Sequence, residues 1–179
     1  MKEIKHIFLT GEKKVGKSTI IRKALEKEKM KPAGFWTSPY FEGGRFAGYA
    51  LGKNKNGIEE IKECDKISYL LEDGTGRPIV KTFETKGVTL IEEAMNVSDL
   101  IIMDELGRFE SKAFQFQDKV KECLDSKKHV VGVLQDTKTD FLDSIRNRED
   151  VKIIRVTKQN RDALVKQMKN EIHSFLLEK

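Results

Sequence analysis

The sequence Gly11-Glu12-Lys13-Lys14-Val15-Gly16-Lys17-Ser18 decides the fold class of this chain. It follows the apolar run Ile7-Phe8-Leu9 and precedes a helical pattern, which is the order of strand, loop and helix in a phosphate-binding loop. Glycines at both ends let backbone N–H groups turn inward around a polyphosphate, because a Cβ there would obstruct the turn or the anion. A lysine-rich surface turn is the alternative, but it does not require the flanking strand and helix.

Three side chains of this segment have predicted roles. Lys17 is expected to reach the β- and γ-phosphates and to act as a catalytic group, and the Ser18 hydroxyl to ligate Mg²⁺. Thr19 stands in the first turn of the following helix, whose partial positive charge favours an anion. The predicted nucleotide-binding segment is therefore Gly11–Thr19.

A second segment supplies two adjacent carboxylates. The apolar residues 100–103 predict a buried strand that delivers Asp104 and Glu105 to its carboxyl end, the edge where ligands bind in open α/β sheets. Mg²⁺ takes oxygen ligands, so Asp104 is predicted to hold it opposite Ser18, directly or through water. Glu105 is predicted to be the base that orients or deprotonates the attacking water. In isolation, the pair would fit an ordinary acidic strand end equally well.

Four further side chains are weaker candidates. Gln135 ends the predicted strand at 129–134 and could sense the γ-phosphate or hold the water, although an exposed strand-end glutamine is equally consistent. Arg146, Arg148 and Arg161 could stabilise the transition state, whereas salt-bridged surface arginines are the simpler interpretation of each.

Length and hydropathy favour one cytoplasmic domain. The 179 residues are close to a single-domain size of about 150. We therefore expect one domain over residues 1–179, with a hairpin insert at about 34–62. The apolar runs are shorter than the roughly 20 residues of a membrane-spanning helix. The first five residues lack the apolar core of a secretion signal, so we expect a cytoplasmic location and no membrane contact.

Cysteine, histidine and charge indicate no further site. Neither Cys64 and Cys123 nor the scattered histidines have the spacing of a zinc site or a disulfide framework, and we interpret the thiols as buried or idle. The net charge of +5 could attract nucleic acid, but lysines alternate with glutamates. We interpret this charge as a solvated surface that also favours anionic nucleotides.

Hydrophobic periodicity predicts an alternation of strands and helices. Strands are predicted at 4–10, 35–41, 46–51, 58–61, 79–83, 100–103, 129–134 and 151–156, and helices at 18–29, 88–96, 111–125, 140–145 and 161–177. The alternation predicts an α/β fold, a P-loop three-layer sandwich with a mostly parallel sheet and an antiparallel hairpin insert.

The predicted hairpin is rich in aromatic residues. These are Phe35, Trp36, Tyr40, Phe41, Phe46 and Tyr49. They could stack on a base or on single-stranded nucleic acid, but core packing between hairpin and sheet is the interpretation we favour.

Several motifs together resemble the THEP-type nucleoside-triphosphatases, the family that includes the cancer-related nucleoside-triphosphatase. They are Gly11–Thr19, Gly34-Phe35-Trp36-Thr37 with Gly44-Arg45-Phe46-Ala47-Gly48, Asp104-Glu105-Leu106-Gly107 followed by Glu110 and Phe114, and Ile145-Arg146-Asn147-Arg148 through Val156-Thr157-Lys158-Gln159-Asn160-Arg161. The likeness covers nearly the whole chain. The resemblance departs from the family pattern at Ser38-Pro39-Tyr40, where charged residues are usual, and at the highly charged loop interior Glu12-Lys13-Lys14.

The resemblance implies Mg²⁺-dependent hydrolysis of nucleoside triphosphates to diphosphate and phosphate, with little base preference, on a RecA-like core. It implies phosphate and metal binding by Lys17, Ser18 and Thr19, metal organisation by Asp104 and a base in Glu105. We predict a slow nucleoside-triphosphatase of broad specificity.

Two alternatives remain open at this point. One is a nucleoside or nucleotide kinase with residues 146–148 as a lid, although the adjacent carboxylates argue against it because a kinase keeps water from the γ-phosphate. The other is a nucleotide-gated RNA-binding module that uses the aromatic hairpin and the basic surface.

Overall fold

A computed structural model describes residues 3–26, 32–53 and 60–177. The end of the first predicted helix, at 27–29, lies outside the described residues, as does the first half of the strand predicted at 58–61. Glu60 and Ile61, which are described, are not in a strand.

Six strands form one mixed sheet, and two short strands form a separate hairpin. The strands are β1 (His6–Thr10), β2 (Ala33–Glu42), β3 (Arg45–Gly52), β4 (Ser68–Leu70), β5 (Gly76–Pro78), β6 (Leu100–Leu106), β7 (His129–Leu134) and β8 (Val151–Arg155). The sheet order is β3-β2-β6-β7-β1-β8, and every neighbouring pair in it except β2–β3 is parallel. The predicted α/β class with a mostly parallel sheet is confirmed.

Helices cover both faces of this sheet. They are α1 (Lys17–Leu25), α2 (Val80–Thr82), α3 (Val88–Val97), α4 (Phe114–Asp125), α5 (Asp140–Arg146) and α6 (Arg161–Leu177). Side chains alternate along each strand, so Ile7 and Leu9 pack with α1 and α6 on one face, while Phe8 packs with α3, α4 and α5 on the other. The strands are buried from both sides, which explains their continuous apolar runs.

The predicted antiparallel hairpin is present as β2 and β3, and its first strand is continuous with the main sheet. Residues Ala33–Trp36 of β2 pair in parallel with Ile101–Asp104 of β6, and β2 then runs on into the antiparallel pair with β3. Gly34 permits the close approach, because a Cβ there would lie 2.0 Å from the Ile102 carbonyl oxygen. The insert was predicted because the Gly43-Gly44 turn is visible in the sequence and the pairing of β2 with β6 is not.

The hairpin aromatics divide into two groups. Phe35, Trp36 and Tyr40 are buried, as packing against the sheet predicts. Phe41, Phe46 and Tyr49 are exposed, and Phe46 contacts both neighbours edge to face, at centroid distances of 6.1 and 5.2 Å. Core packing is therefore the correct account for only half of them.

Residues 62–86 differ most from the sequence prediction. The strand predicted at 79–83 is wrong, because residues 80–82 form α2 and a π-helical segment, Phe83–Gly87, continues into α3. A short apolar run fits a buried strand and a buried helix equally. Phe83 is fully buried against Phe116, at a centroid distance of 5.4 Å, so tertiary packing selects the helix.

The helix predicted at 111–125 begins later than expected. A 3₁₀ segment, Arg108–Lys112, comes first, and α4 starts at Phe114. Cys123 of α4 is fully buried, as expected, whereas Cys64 is exposed. β6 extends to Leu106, three residues beyond its predicted end, and β4 and β5 were not predicted. The remaining helices and strands lie within two residues of their predicted bounds where they are described.

Candidate active site

The loop between β1 and α1 has the backbone of an anion-binding turn. Gly11 has a φ of 129°, and a Cβ there would lie 2.5 Å from the Val156 carbonyl oxygen. Gly16 has a φ of 110° and is the left-handed residue that precedes α1. Both positions therefore require glycine, one for space and both for conformation.

Lys17 lies folded over this loop. Its Nζ donates to the carbonyl oxygens of Gly11, at 2.9 Å, and Glu12, at 2.7 Å. Burial lowers the pKa of Lys17, while the negative charges of Glu105, Asp104 and Asp136 raise it. The ammonium group is thus held at the loop and faces carboxylates from two other strand ends.

Ser18 and Asp104, which are 86 positions apart, meet at this edge. The Ser18 Oγ donates to Asp104 Oδ1 at 3.0 Å. Asp104 is 2% exposed, and its Oδ2 has no hydrogen-bond partner among the described residues. Burial raises the pKa of Asp104 to about 7, against the Ser18 hydrogen bond, which lowers it. A buried carboxylate oxygen without a partner is costly, which is typical of a group that binds a ligand.

These oxygens fit Mg²⁺ by chemistry. The ion is usually held by one or two protein oxygens together with substrate phosphates, so it needs no cluster of carboxylates. The described parts of the chain contain no group of three or more His, Cys, Asp or Glu residues that could hold a metal. Asp104 and Ser18 are therefore the residues that would bind it.

The side chain of Gln135 forms a hydrogen bond with the carboxylate of Glu105. Its Nε2 donates to Glu105 Oε1, and its Oε1 accepts from the Arg108 backbone N–H at 3.2 Å. Gly107 allows this contact, because a Cβ there would lie 2.4 Å from the Gln135 side chain. The end of β7, which separates β6 from β1, thus fixes the carboxylate of Glu105.

A fully buried carboxyl group lies behind this pair. Glu110 Oε2 accepts from the Gly107 backbone N–H at 3.0 Å, and burial raises the pKa of Glu110 to about 8. The side chain thereby closes the turn that follows Glu105. Sequence analysis singled out Glu110 only as part of a resemblance.

The three candidate arginines have different places in the structure. Arg146 donates to the carbonyl oxygens of Gln135 and Thr137 and to Asp143, so it supports the loop that carries Gln135. Arg161 begins α6 and lies 3.8 Å from Asp162.

The position of Arg148 contradicts its suggested role in stabilising the transition state. It donates to Asp125, Asp150 and the Leu124 carbonyl oxygen at the amino end of β1, where the buried His6 bonds to the same carbonyl. The phosphate loop leaves the opposite end of this strand. The sequence alone could not place Arg148, because the segment after α5 returns to the amino edge before β8 begins.

Sequence analysis missed two groups of residues near the loop. Arg22, one turn after Ser18 on α1, lies over the Trp36 ring at 5.3 Å, and its charge lowers the pKa of Asp104. Its i+4 spacing from Ser18 was a usable signal. Arg155 at the end of β8 pairs with Asp136 at 2.8 Å and borders a cleft beside the loop.

Two cavities lie at opposite edges of the main sheet. The one beside the loop has a volume of about 350 Å³ and is bordered by Glu12, Val15 and residues 155–159. A larger one, of about 480 Å³, lies at the amino end of β2 against α3, at the edge remote from the phosphate loop.

A glycine-bounded loop whose lysine and serine face a strand-end aspartate defines a P-loop NTPase. Residues 6–169 match the family model described as NTPase, and the chain belongs to this family. It is 33% identical over 170 residues to the nucleoside-triphosphatase THEP1 of Thermotoga sp. strain RQ2, covering 95% of this chain and 94% of that one. It is 28% identical to the human cancer-related nucleoside-triphosphatase, covering 90% and 93%.

The fold is also shared with solved structures. The crystal structure of THEP1 from the hyperthermophile Aquifex aeolicus superposes with a TM-score of 0.74 at 25% identity, over 97% of this chain and 99% of that one. The solution structure of the human cancer-related nucleoside triphosphatase gives a TM-score of 0.73 at 27% identity, over 95% and 98%. The suspected family is therefore confirmed.

Within residues 3–26, 32–53 and 60–177, no helix has both the length and the apolar character needed to cross a membrane.

Proposed function

We propose that this chain hydrolyses nucleoside triphosphates to diphosphates and phosphate, slowly, with Mg²⁺ and with little preference among bases. The observation that carries the proposal is the 3.0 Å contact between Ser18 and Asp104 beside the loop-bound Lys17. Membership of a family whose relatives are named nucleoside-triphosphatases supports the reaction.

The first part of the mechanism is phosphate binding. The N–H groups of Gly11–Thr19 and the Lys17 ammonium group bind the triphosphate, and Lys17 exchanges its contacts with the Gly11 and Glu12 carbonyls for phosphate oxygens. Ser18 and Asp104 would hold Mg²⁺, which would supply positive charge to stabilise the negative charge of the triphosphate. This would explain why Asp104 carries a buried oxygen that has no hydrogen-bond partner among the described residues.

The second part is activation of water. Glu105 accepts a proton from the water that attacks the γ-phosphorus, as a general base. The amide of Gln135 holds one oxygen of Glu105, so the other oxygen remains for the water. Gln135 is in turn fixed by the Arg108 N–H, and Arg146 supports the loop behind it.

The positions of the three arginines predicted from the sequence support a low turnover. A positioned arginine adds about 10³–10⁵ in rate to related hydrolases. Here Arg146 donates hydrogen bonds to the loop that carries Gln135. Arg148 lies at the amino edge of the sheet, and Arg161 lies beside Asp162. We therefore expect slow hydrolysis by the isolated chain.

Neither alternative has comparable support. For a kinase, residues 146–148 would have to form a mobile lid, yet Arg146 and Arg148 are each anchored by several hydrogen bonds. For an RNA-binding module, the exposed trio Phe41, Phe46 and Tyr49 is the favouring observation. Oligonucleotide affinity that falls steeply with salt would support it, and no binding at low salt would exclude it.

The test is phosphate release from ATP, GTP, CTP and UTP, with and without Mg²⁺. Glu105→Gln should keep nucleotide affinity and lose about 10²–10⁴ in kcat, because it keeps the shape but removes the base. Glu72→Gln, at an exposed position, is the matched control and should change nothing. Undiminished release by Glu105→Gln would remove the base assignment, and labelled nucleosides converted to nucleotides would indicate a kinase.

A further inference from the structure

The side chain of Arg22 on α1 has a buried donor, its Nε, that has no hydrogen-bond partner among the described residues. The contact that holds this side chain is with Trp36, whose ring centre lies 5.3 Å from the guanidinium carbon. Trp36 is only 4% exposed. The guanidinium therefore rests on an aromatic face that is itself fixed in the core, which is a favourable place for a cation.

Two relationships place this guanidinium next to Asp104. Trp36 of β2 is the register partner of Asp104 of β6, so both side chains point to the same face of the sheet, the face that α1 covers. On α1, Arg22 lies four positions after Ser18, whose Oγ donates to Asp104 at 3.0 Å. Residues at this spacing share one side of a helix. The cation and the carboxylate are therefore neighbours at the carboxyl end of β6.

Arg22 offsets the charge of Asp104 without bonding to its free oxygen. Burial raises the pKa of Asp104 to about 7, and the positive charge of Arg22 lowers it, more than the charge of Lys17 does. Asp104 Oδ2 nevertheless has no hydrogen-bond partner among the described residues. The stack on Trp36 thus keeps the guanidinium close enough to act through space, while the oxygen stays open to a cation.

We propose that Arg22 makes this site selective for a cation that arrives bound to a nucleotide, because it opposes the binding of free Mg²⁺ at Ser18 and Asp104. The proposal rests on the proposed function, since it concerns the metal of the same substrate complex. The charges of Arg22 and Asp104 sum to zero, so the pair attracts a free ion weakly, and a guanidinium repels a divalent ion strongly where water is scarce. A triphosphate that carries the ion brings negative charge, which offsets this repulsion.

The experiment first measures the binding of Mg²⁺ alone, by calorimetry at pH 9, where the carboxyl group of Asp104 is ionised. The variant is Arg22→Met, which removes the charge and keeps an unbranched side chain over Trp36. We expect it to bind free Mg²⁺ about tenfold more tightly than the wild type, because one nearby positive charge in a partly buried site is worth about that factor. The emission of Trp36, the single tryptophan of the chain, gives a second readout of binding beside Asp104.

The selectivity is measured with the Mg²⁺ complex of ADP. This complex is negatively charged as a whole, so removal of a positive charge should not strengthen its binding. We therefore expect Arg22→Met to gain affinity for the free ion and none for the complex. An equal gain for both would overturn the proposal.

Further variants separate charge from packing. Arg22→Lys keeps the charge and should bind Mg²⁺ as the wild type does. Lys23→Met, at the next position of α1, removes the charge of an exposed side chain and should change the affinity by less than about twofold, because solvent and salt screen that charge. Asp104→Asn in the Arg22→Met background should abolish the gain. If Arg22→Met does not fold, Arg22→Gln, which keeps a planar group over Trp36, carries the same expectation.

An unchanged or lower affinity of Arg22→Met for free Mg²⁺ would overturn the proposal. An equal gain in Lys23→Met would do so as well, since it would show an effect of total charge, and so would a gain that persists after Asp104→Asn. These measurements record no phosphate release. A wild type that releases no phosphate would therefore contradict the proposed hydrolysis and leave the effect of Arg22 on the cation standing.

Discussion

The buried charged groups at the two edges of the main sheet differ in how completely they are paired within the protein. At the amino edge, Arg148 bonds to Asp125 and to both oxygens of Asp150, and Asp150 lies 3.8 Å from His6. Burial lowers the pKa of His6 to about 4, so this ring is neutral at pH 7. The charges there are matched within the protein.

At the carboxyl edge the matching is incomplete. Asp104 is buried with one oxygen bonded to Ser18 and the other without a partner among the described residues. Lys17 is bonded to carbonyl oxygens of its own loop. Both edges contain a buried polar atom that has no hydrogen-bond partner among the described residues, such as His6 Nδ1 at the amino edge and Asp104 Oδ2 at the carboxyl edge. The difference lies in charge: the amino edge pairs its charged groups and stabilises the fold, while the carboxyl edge keeps a carboxylate incompletely paired, at a cost in stability.

The largest effect should come from Asp104→Asn. We expect phosphate release to fall by at least about 10²-fold, because a charged ligand of the metal is removed. Without nucleotide, the variant should be more stable than the wild type at pH 8, since it no longer buries a charge there.

The matched control is Asp99→Asn, at the residue that precedes the amino end of β6. Asp99 is half exposed and paired with Lys128 at 3.1 Å, so its loss should change neither quantity by much. If Asp104→Asn has a lower free energy of unfolding than the wild type at pH 8, the inference that the buried Asp104 reduces stability is wrong.

Arg148→Met tests the amino edge. It should lower the free energy of unfolding by about 2 kcal/mol, because several hydrogen bonds to charged groups are lost. The kcat of the folded protein should not change. Denaturant unfolding and phosphate release measure the two effects, with Arg161→Met as the control that should keep stability. If Arg148→Met loses kcat and keeps its stability, Arg148 takes part in catalysis and not in stabilising the amino edge.

Gln135→Ala should have a smaller effect, confined to the carboxyl edge. Because Glu105 loses the amide that fixes it, we expect kcat to fall by about tenfold, a loss of roughly one hydrogen bond. The KM should stay within a factor of about two, since the phosphate loop is untouched. Gln115→Ala, at an exposed position of α4, is the control. If KM rises and kcat does not fall, Gln135 contacts the substrate instead.

The smallest effect on phosphate release should come from Glu110→Gln, whose effect on stability should depend on pH. Burial raises the pKa of Glu110 from 4.5 to about 8, so between these values the folded state binds more protons than the unfolded state. Its contribution to stability is therefore greatest at low pH and is lost as the pH rises to about 8. Glutamine removes this dependence, so the Tm of the variant should rise relative to that of the wild type by roughly 10 °C between pH 5 and pH 8. A difference that is constant with pH would show that Glu110 is not protonated in the fold.

Much of this organisation could be predicted because local patterns determine it. The glycines at 11 and 16 need unusual backbone conformations, and the apolar runs before Gly11 and Asp104 are buried from both faces. The positions of these strands and of the phosphate loop follow directly. That two loops 86 positions apart would meet followed only from the rule that parallel strands end at one edge.

The rest depends on contacts that leave no local pattern. The pairing of Ala33–Trp36 with β6, and the return of Arg148 to the amino edge, are tertiary events. The cleft beside the loop is bordered by a turn whose backbone is held by Asn160, and backbone contacts have no sequence signature.

The burial of Cys123 has a practical consequence for the chemistry of this chain. Burial raises the pKa of its thiol to about 12, so almost no thiolate is available there for alkylation at neutral pH. Of the two cysteines, only the exposed Cys64 is then open to a maleimide reagent. A single fluorophore can therefore be attached to the native sequence without prior removal of a cysteine.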